Sequence, residues 1–293
     1  MATQKITRLS EIIGEGYREF WNFKGRYLLC KGSRGSKKST TAALKIIFNM
    51  LKYPESNALV VRQTFNTLRD SCWKQLQWAT EKLGVADKWK FTVSPLEATY
   101  IPTGQKIYFR GLDNPLSITS LTVAKGYLCY CWLEEAYQIT SEDDFNKIDL
   151  SFRGELPDGY YRQFIFTFNP WTDKVWFKKR FFDEPNDANH LCITTTYQCN
   201  EWLDDTDIAL FEDMKVRYPR RYSIEGLGNW GISEGLVFDN WKVKDFNRDE
   251  LDLPLWVGLD FGWEDPTAIA ILRVDEPNKI LYFCEVKENH LYA

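Results

Sequence analysis

The segment Gly32-Ser33-Arg34-Gly35-Ser36-Lys37-Lys38-Ser39 spaces glycines, cations and a hydroxyl as polyphosphate binding would require. The phosphate-loop pattern is G-x-x-x-x-G-K-[ST], and here Lys37 stands where the second glycine is expected. The chemistry asks for backbone N–H groups wrapped around phosphate oxygens at the start of a helix, where peptide dipoles favour an anion. It also asks for an ammonium reaching the β- and γ-phosphates and a hydroxyl for Mg2+. Lys38 and Ser39 fill those places, with Thr40 beside them. Gly32, Gly35 and the small Ser33 and Ser36 permit close backbone approach. A lysine at position 37 is expected to adopt helical angles, straining the pattern without breaking it. Taken alone, the segment reads equally well as a solvated basic turn capping a helix, with Lys37 and Lys38 in water.

Two further polar groups end apolar runs. Residues 128–133 lead into Glu134-Glu135, 96 positions after Lys38 (134 − 38). In a phosphate-loop ATPase an acid at a strand end holds the water shell of Mg2+, and the next carboxylate polarises the attacking water. Glu134 suits the first role, usually an aspartate's, and Glu135 the second. By themselves, paired carboxylates at a strand end are ordinary solvation. Residues 164–168 then lead into Asn169-Pro170, so that Thr167 or Asn169 can hydrogen-bond the γ-phosphate or the water and sense hydrolysis. An Asn-Pro pair is also a common simple turn. The three signals occur in the order an ATPase core requires, with ATP as ligand and Mg2+ as its metal.

The elements that must position these groups follow from the apolar pattern. Residues 27–30 form a strand before the loop, and residues 41–52 a helix after it, closed by Tyr53-Pro54. Residues 59–61 are a second buried strand, 66–83 a helix, and 99–111 a hairpin around Pro102-Thr103-Gly104. Further strands are expected at 126–133, 161–168 and 191–195. The fold class is therefore α/β: a phosphate-loop fold with a mostly parallel sheet covered by helices on both faces. A helical stretch at 206–218 ends at Pro219, and Gly226, Gly228, Gly231 and Gly235 then mark a linker or small subdomain. Three more strands are expected at 256–260, 268–274 and 280–286.

Composition narrows the function. The 293 residues are 44% hydrophobic and 27% charged, enough for a sizeable core and unlike a disordered chain. A net charge of −4 disfavours nucleic-acid binding by bulk charge, though not by a local groove. Two histidines argue against His-rich zinc sites and His-based triads, and seven cysteines without a C-x-x-C read as reduced cytosolic thiols. Cys129 and Cys131, two apart on a strand, should share one face. No uncharged run approaches the length of a membrane span. The basic residues at 174–180, and Arg217, Arg220 and Arg221, suit either a DNA backbone or a solvated face.

Together these stretches resemble the large terminase subunit of tailed bacteriophages, especially the PBSX-type family. The resemblance is carried by residues 32–40, Val61-Arg62-Gln63-Thr64, Leu68-Arg69-Asp70-Ser71, Phe109-Arg110-Gly111-Leu112-Asp113 and Trp132-Leu133-Glu134-Glu135-Ala136. It continues through Thr167-Phe168-Asn169-Pro170, Thr196-Tyr197, Gly228-Asn229-Trp230-Gly231, Glu234-Gly235-Leu236-Val237-Phe238, Gly258-Leu259-Asp260-Phe261-Gly262 and Asp265-Pro266-Thr267-Ala268. It implies a DNA-packaging motor, with an ATPase domain joined through a linker to an RNase H-like nuclease. It further implies Arg34 as the cation that triggers hydrolysis and residues 167–169 as a coupling motif. Double-stranded DNA, a portal protein, a small terminase subunit and a ring on the portal are the implied partners, in the cytoplasm of an infected or prophage-carrying host. The expected divisions are 1–215 for the ATPase, 216–250 for a linker and 251–293 for the start of the nuclease. Asp260 ends a strand as the first metal acid of such a nuclease would, whereas Asp265 reads as a turn and Glu285 as a solvated strand residue. Only 33 residues follow Asp260 (293 − 260), so an incomplete, inactive nuclease is expected, with a divalent metal there only if the domain is completed. The competing readings are a generic ATP-dependent helicase or remodelling enzyme, and a nucleotide-binding fragment without turnover.

Overall fold

Alternating strands and helices build the larger of two units in this computed structural model, which describes residues 9–113, 121–231, 244–260 and 267–289. The units are Met1–Gly235 and Leu236–Ala293. The first contains strands β1 (Tyr27–Gly32), β2 (Ser56–Arg62), β3 (Trp89–Val93), β4 (Leu96–Tyr100), β5 (Gln105–Gly111), β6 (Tyr127–Glu134), β7 (Gln163–Phe168) and β8 (His190–Thr195). They form one sheet in the order β3-β4-β5-β2-β6-β7-β1-β8. Strands β5, β2, β6, β7, β1 and β8 pair in parallel, and β4 joins β3 and β5 antiparallel. The sheet is therefore mostly parallel, as the alternation of elements implies.

Helices α1 (Leu9–Ile13), α2 (Arg18–Asn22), α3 (Lys38–Lys52), α4 (Lys74–Lys82), α5 (Glu142–Ser151), α6 (Asp205–Arg217) and α7 (Pro219–Glu225) complete this unit among the described residues. Every residue of β1 and β7 is buried, because both sheet faces are covered. Leu28 and Cys30 of β1 face a core with Ala42, Ile46, Ile47 and Met50 of α3. Tyr27 and Leu29, on the other face, meet Phe145 and Ile148 of α5 and Phe164 and Phe166 of β7. Helix α3 is buried almost all round, as its run of Ala, Leu and Ile allows.

The structure departs from simple periodicity in three places. Cys129 and Cys131 lie in opposite cores, not on one face. The β2–β6 register jumps from Asn57↔Leu128 to Ala58↔Tyr130, so a bulge at Cys129 inverts the alternation. The single helix expected over 66–83 is a 3-10 turn at Phe65–Thr67, a π-helical turn at Arg69–Trp73 and then α4. The Thr67 carbonyl there accepts from Ser71 Oγ at 2.8 Å, while the Trp73 N–H reaches back five residues to the Leu68 carbonyl at 3.1 Å. The stretch 216–250 does not begin as a free linker. Helix α7 and the turn behind it bind the sheet end, through Arg34 N–H to the Glu225 carbonyl (2.9 Å) and Gly231 N–H to the Pro170 carbonyl (2.7 Å).

The second unit is an antiparallel sheet of β9 (Leu255–Asp260), β10 (Thr267–Asp275) and β11 (Ile280–Asn289), in the order β11-β10-β9. Among the described residues, no helix is long and apolar enough to cross a membrane.

Candidate nucleotide site

The segment between β1 and α3 lies at the carboxyl ends of the parallel strands, where open α/β sheets bind ligands. Its backbone is fixed from several directions. Gly32 lies so close to β8 that a Cβ there would sit 2.5 Å from the Thr195 carbonyl oxygen. The Ser33 N–H donates to that carbonyl at 3.0 Å, and Ser36 Oγ donates to the Ser33 carbonyl at 3.0 Å. Gly35 has φ +68°, the left-handed region that glycine enters freely.

Lys37 also lies in the left-handed region, at φ 57° and ψ 20°, rather than at the helical angles expected of it. Its carbonyl accepts from Thr41 N–H at 2.9 Å, Thr40 Oγ1 at 2.7 Å and Thr41 Oγ1 at 2.9 Å, which closes the first turn of α3. Its ammonium points neither to water nor to the loop interior. It ion-pairs with Glu201 and lies 5.0 Å from the Trp202 ring centroid and 5.9 Å from that of Tyr17. The lysine thus keeps the backbone turn of the missing glycine and sends its side chain elsewhere.

Lys38 is buried, with Nζ donating to the Ser33 carbonyl at 3.1 Å. Burial lowers the pKa of its ammonium, opposed by the nearby Cys30, Glu135 and Glu134. Ser39 Oγ donates to Glu134 Oε1 at 3.4 Å. Glu134 ends β6 almost fully buried, and its carboxyl is pushed up to about 7 by burial and then by Glu135, against Arg62, Lys38 and Ser39. Glu135 follows in a left-handed turn, φ 52°, and its Oε2 is buried without a hydrogen-bond partner. Strained non-glycine backbone of this kind recurs at functional sites.

An open cavity of about 630 Å³ is lined by Arg34, Gly35, Lys38, Glu135, Tyr137, Asn169 and Trp171. Asn169 Nδ2 donates to the Gly32 carbonyl at 3.1 Å, which ties the end of β7 to the loop. Thr167 is placed differently. Strand alternation turns it toward α3, where its Oγ1 accepts from Trp132 Nε1 at 2.7 Å, outside the cavity lining. Arg34 reaches the cavity edge, 62% exposed, with Nε 3.2 Å from Glu225 Oε2 and its guanidinium 5.4 Å from the Trp171 ring centroid. Glu225, only 5% exposed, also pairs with Arg221.

The donor chemistry fits a magnesium nucleotide. Ser39 and Glu134 offer adjacent oxygens, and the unpartnered Glu135 Oε2 is a buried acceptor next to them in sequence. Several supporting residues carry no local sequence signal. Tyr17 donates its hydroxyl to the Ser36 carbonyl and lies 3.2 Å from Thr195 Oγ1, while Asn200 Nδ2 donates to the Gly35 carbonyl at 2.6 Å. Tyr137 and Trp171 are different, since each sits within two residues of a motif already singled out.

Asp260 is exposed at the end of β9, and no group of three His, Cys, Asp or Glu residues that could hold a metal occurs among the described residues. Asp265 and the side chain of Glu285 lie outside what is described. In the basic stretch at 174–180, Phe177 is buried, Lys178 pairs with Asp183 and Arg180 with Glu142. Arg217 pairs with Asp213. All seven cysteines are free thiols.

Comparison with known proteins bears on this geometry. A family model described as phage terminase large subunit matches residues 24–229. The terminase large subunit of Bacillus phage SPP1 is 33% identical over 299 residues, covering 98% of this chain and 70% of that protein. The PBSX phage terminase large subunit of Bacillus subtilis is 28% identical over 287 residues, covering 89% of this chain and 64% of its own length. Among solved structures, the large terminase of a thermophilic bacteriophage in complex with ADP matches with TM-score 0.57 at 20% identity, over 93% of this chain and 65% of that one. That likeness shows a shared fold. The chain spans about two thirds of the length of these three proteins.

Proposed function

The chain belongs to the phage terminase large subunit family, and from that premise we propose that its first unit hydrolyses Mg2+-ATP to drive double-stranded DNA into a procapsid. The observation that carries this reading is the cavity at the sheet's carboxyl edge, where Arg34, Lys38, Glu135 and Asn169 converge. The large terminase of the thermophilic phage was solved with ADP, which supports a nucleotide as the ligand.

The roles follow from chemistry. Backbone N–H groups of residues 35–39 cradle the phosphates, at the N-terminus of α3, while those of Ser33 and Arg34 are taken by the Thr195 and Glu225 carbonyls. Lys38 and Arg34 supply positive charge to the γ-phosphate as it is transferred. Ser39 and Glu134 would hold Mg2+, which would supply positive charge to the polyphosphate. Glu135, with a buried unpaired oxygen, orients the attacking water and accepts its proton. Asn169 couples hydrolysis to movement, because its amide grips the Gly32 carbonyl at the root of the loop. Thr167 supports that coupling indirectly by pinning the end of β7 to Trp132.

DNA, a portal, a small subunit and ring assembly on the portal are proposed as partners on family grounds, in the cytoplasm of the host. We read residues 1–215 as the ATPase, 216–250 as a linker whose first part docks on it, and 251–293 as opening strands of an RNase H-like nuclease. Asp260 is the candidate first metal acid of that nuclease, and nuclease activity is not assigned to this chain.

Binding without turnover would follow if Lys37 spoiled the loop. Its left-handed backbone and outward ion pair favour a working loop instead. The test is Mg2+-dependent phosphate release by the wild type beside Lys38→Ala and Glu135→Ala, with and without portal and DNA. Release at least about a hundredfold above both variants is expected, since removal of such groups costs several kcal/mol of transition-state stabilisation. Wild-type release no faster than the variants would sink the motor reading.

A further inference from the structure

Glu134 has two oxygens with different neighbours. Oε1 faces Ser39 Oγ at 3.4 Å, on the nucleotide side. Oε2 lies 2.9 Å from Arg62 Nε, without a well-aligned hydrogen bond. Both side chains are largely shielded, at 15% exposure for Arg62 and 7% for Glu134. Arg62 is the last residue of β2, and β2 pairs with β6 up to Val61↔Leu133, so the topology sets the two residues side by side. The guanidinium is anchored at its far end. Nη1 donates to Ser71 Oγ at 3.1 Å and to the Thr67 carbonyl at 3.4 Å, within the broken helix that follows β2. Arg62 is not among the residues that line the cavity.

We propose that Arg62 is the positioning residue for Glu134, holding the rear oxygen of the carboxylate so that the front oxygen and Ser39 together face the metal of a bound metal–nucleotide. The proposal rests on the reading of this loop as a Mg2+-ATP site. A carboxylate held at one oxygen by a permanent cation cannot rotate freely, and outer groups of this kind orient metal-binding carboxylates in general. Arginine suits the task better than lysine, because its planar fork makes one contact to the carboxylate while another nitrogen binds the loop behind. The same arrangement ties the segment at 65–71 to the metal carboxylate through one side chain.

The test uses Mn2+ as the probe. Free Mn2+ is titrated by electron paramagnetic resonance against the whole chain carrying a non-hydrolysable ATP analogue, for wild type, Arg62→Ala, Arg62→Lys and Glu134→Gln. Binding of a fluorescent analogue in EDTA reports the nucleotide without metal. Arg62→Ala should weaken Mn2+ by about tenfold or more, the usual cost of losing an outer partner of a metal ligand, and leave metal-free nucleotide binding unchanged. Arg62→Lys should recover part of that loss. Wild-type Mn2+ affinity in Arg62→Ala overturns the proposal. So does equal loss of metal-free nucleotide binding in both Arg62 variants, which marks collapse of the site rather than loss of positioning. A wild type that binds no nucleotide, or a Glu134→Gln variant that binds Mn2+ normally, overturns the site reading itself and with it the role of Arg62.

Discussion

Lys37 occupies a backbone conformation that glycine enters freely, and it is held there by three hydrogen bonds to its carbonyl. A left-handed conformation costs an L-residue about 1–2 kcal/mol, and the Glu201 pair with the flanking Tyr17 and Trp202 rings offsets part of that cost. Two substitutions separate the terms, because both remove the ion pair but only one keeps a Cβ. Lys37→Gly should be more stable than Lys37→Ala by about 1 kcal/mol in urea denaturation. It should also bind nucleotide, since it restores the residue the phosphate-loop pattern expects. Equal unfolding midpoints for the two variants would show that the strain at position 37 is relieved in some other way.

At the scale of elements, Lys45 ties α2 to α3. Its buried ammonium donates to the carbonyls of Phe20, Trp21 and Phe23, each at 2.8 Å, and so caps the end of the short helix that follows Tyr17. Burial lowers this ammonium to about 7, aided by Lys24. The lysine is charged in the unfolded chain up to about 10.4. Below about 7 both states hold the proton, and the folded state bears the full penalty of a buried charge. As pH rises from about 7 toward that unfolded value, only the unfolded chain stays protonated, so the penalty is progressively relieved and stability rises. The stability difference between wild type and Lys45→Met should therefore move in favour of wild type across that window, measured by denaturant unfolding at several pH values. A difference that stays flat would mean that the carbonyls hold the charge at its ordinary pKa. Sequence patterns made the local part of this site legible: a strand, a loop and a helix in order, and carboxylates at a strand end. Partners distant in sequence were not legible, because Tyr17, Thr195, Asn200 and Glu225 reach the loop by folding and not by spacing. Thr167 shows the same limit. Its motif pointed to the nucleotide, but strand alternation gave its hydroxyl to Trp132. A single bulge at Cys129 likewise reversed a face that strict alternation would have kept.

For the molecule as a whole, burial differs sharply between the two units. In the first, β1 and β7 are buried along their full lengths, between a core on α3 and α4 and another on α5. In the second, all six residues of β9 are exposed, including Leu255, Trp256, Val257 and Leu259. Val274 is the one buried hydrophobic residue of that sheet among the described residues. Hydrophobic burial is the main term opposing chain entropy, so the two sheets should not share one stability. A small sheet of this kind has a core worth roughly 3–5 kcal/mol at most, whereas the larger unit falls in the usual range of about 5–15 kcal/mol. Native-state hydrogen exchange read by mass spectrometry separates them. Amides of β9, β10 and β11 should exchange through low-energy local opening, while those of β1, β6 and β7 exchange only with global unfolding of their unit. Added denaturant should then accelerate the second group steeply and the first group little. Protection of β9 equal to that of β1 would mean that the exposed face of Leu255, Val257 and Leu259 is covered in solution by a surface the chain finds elsewhere.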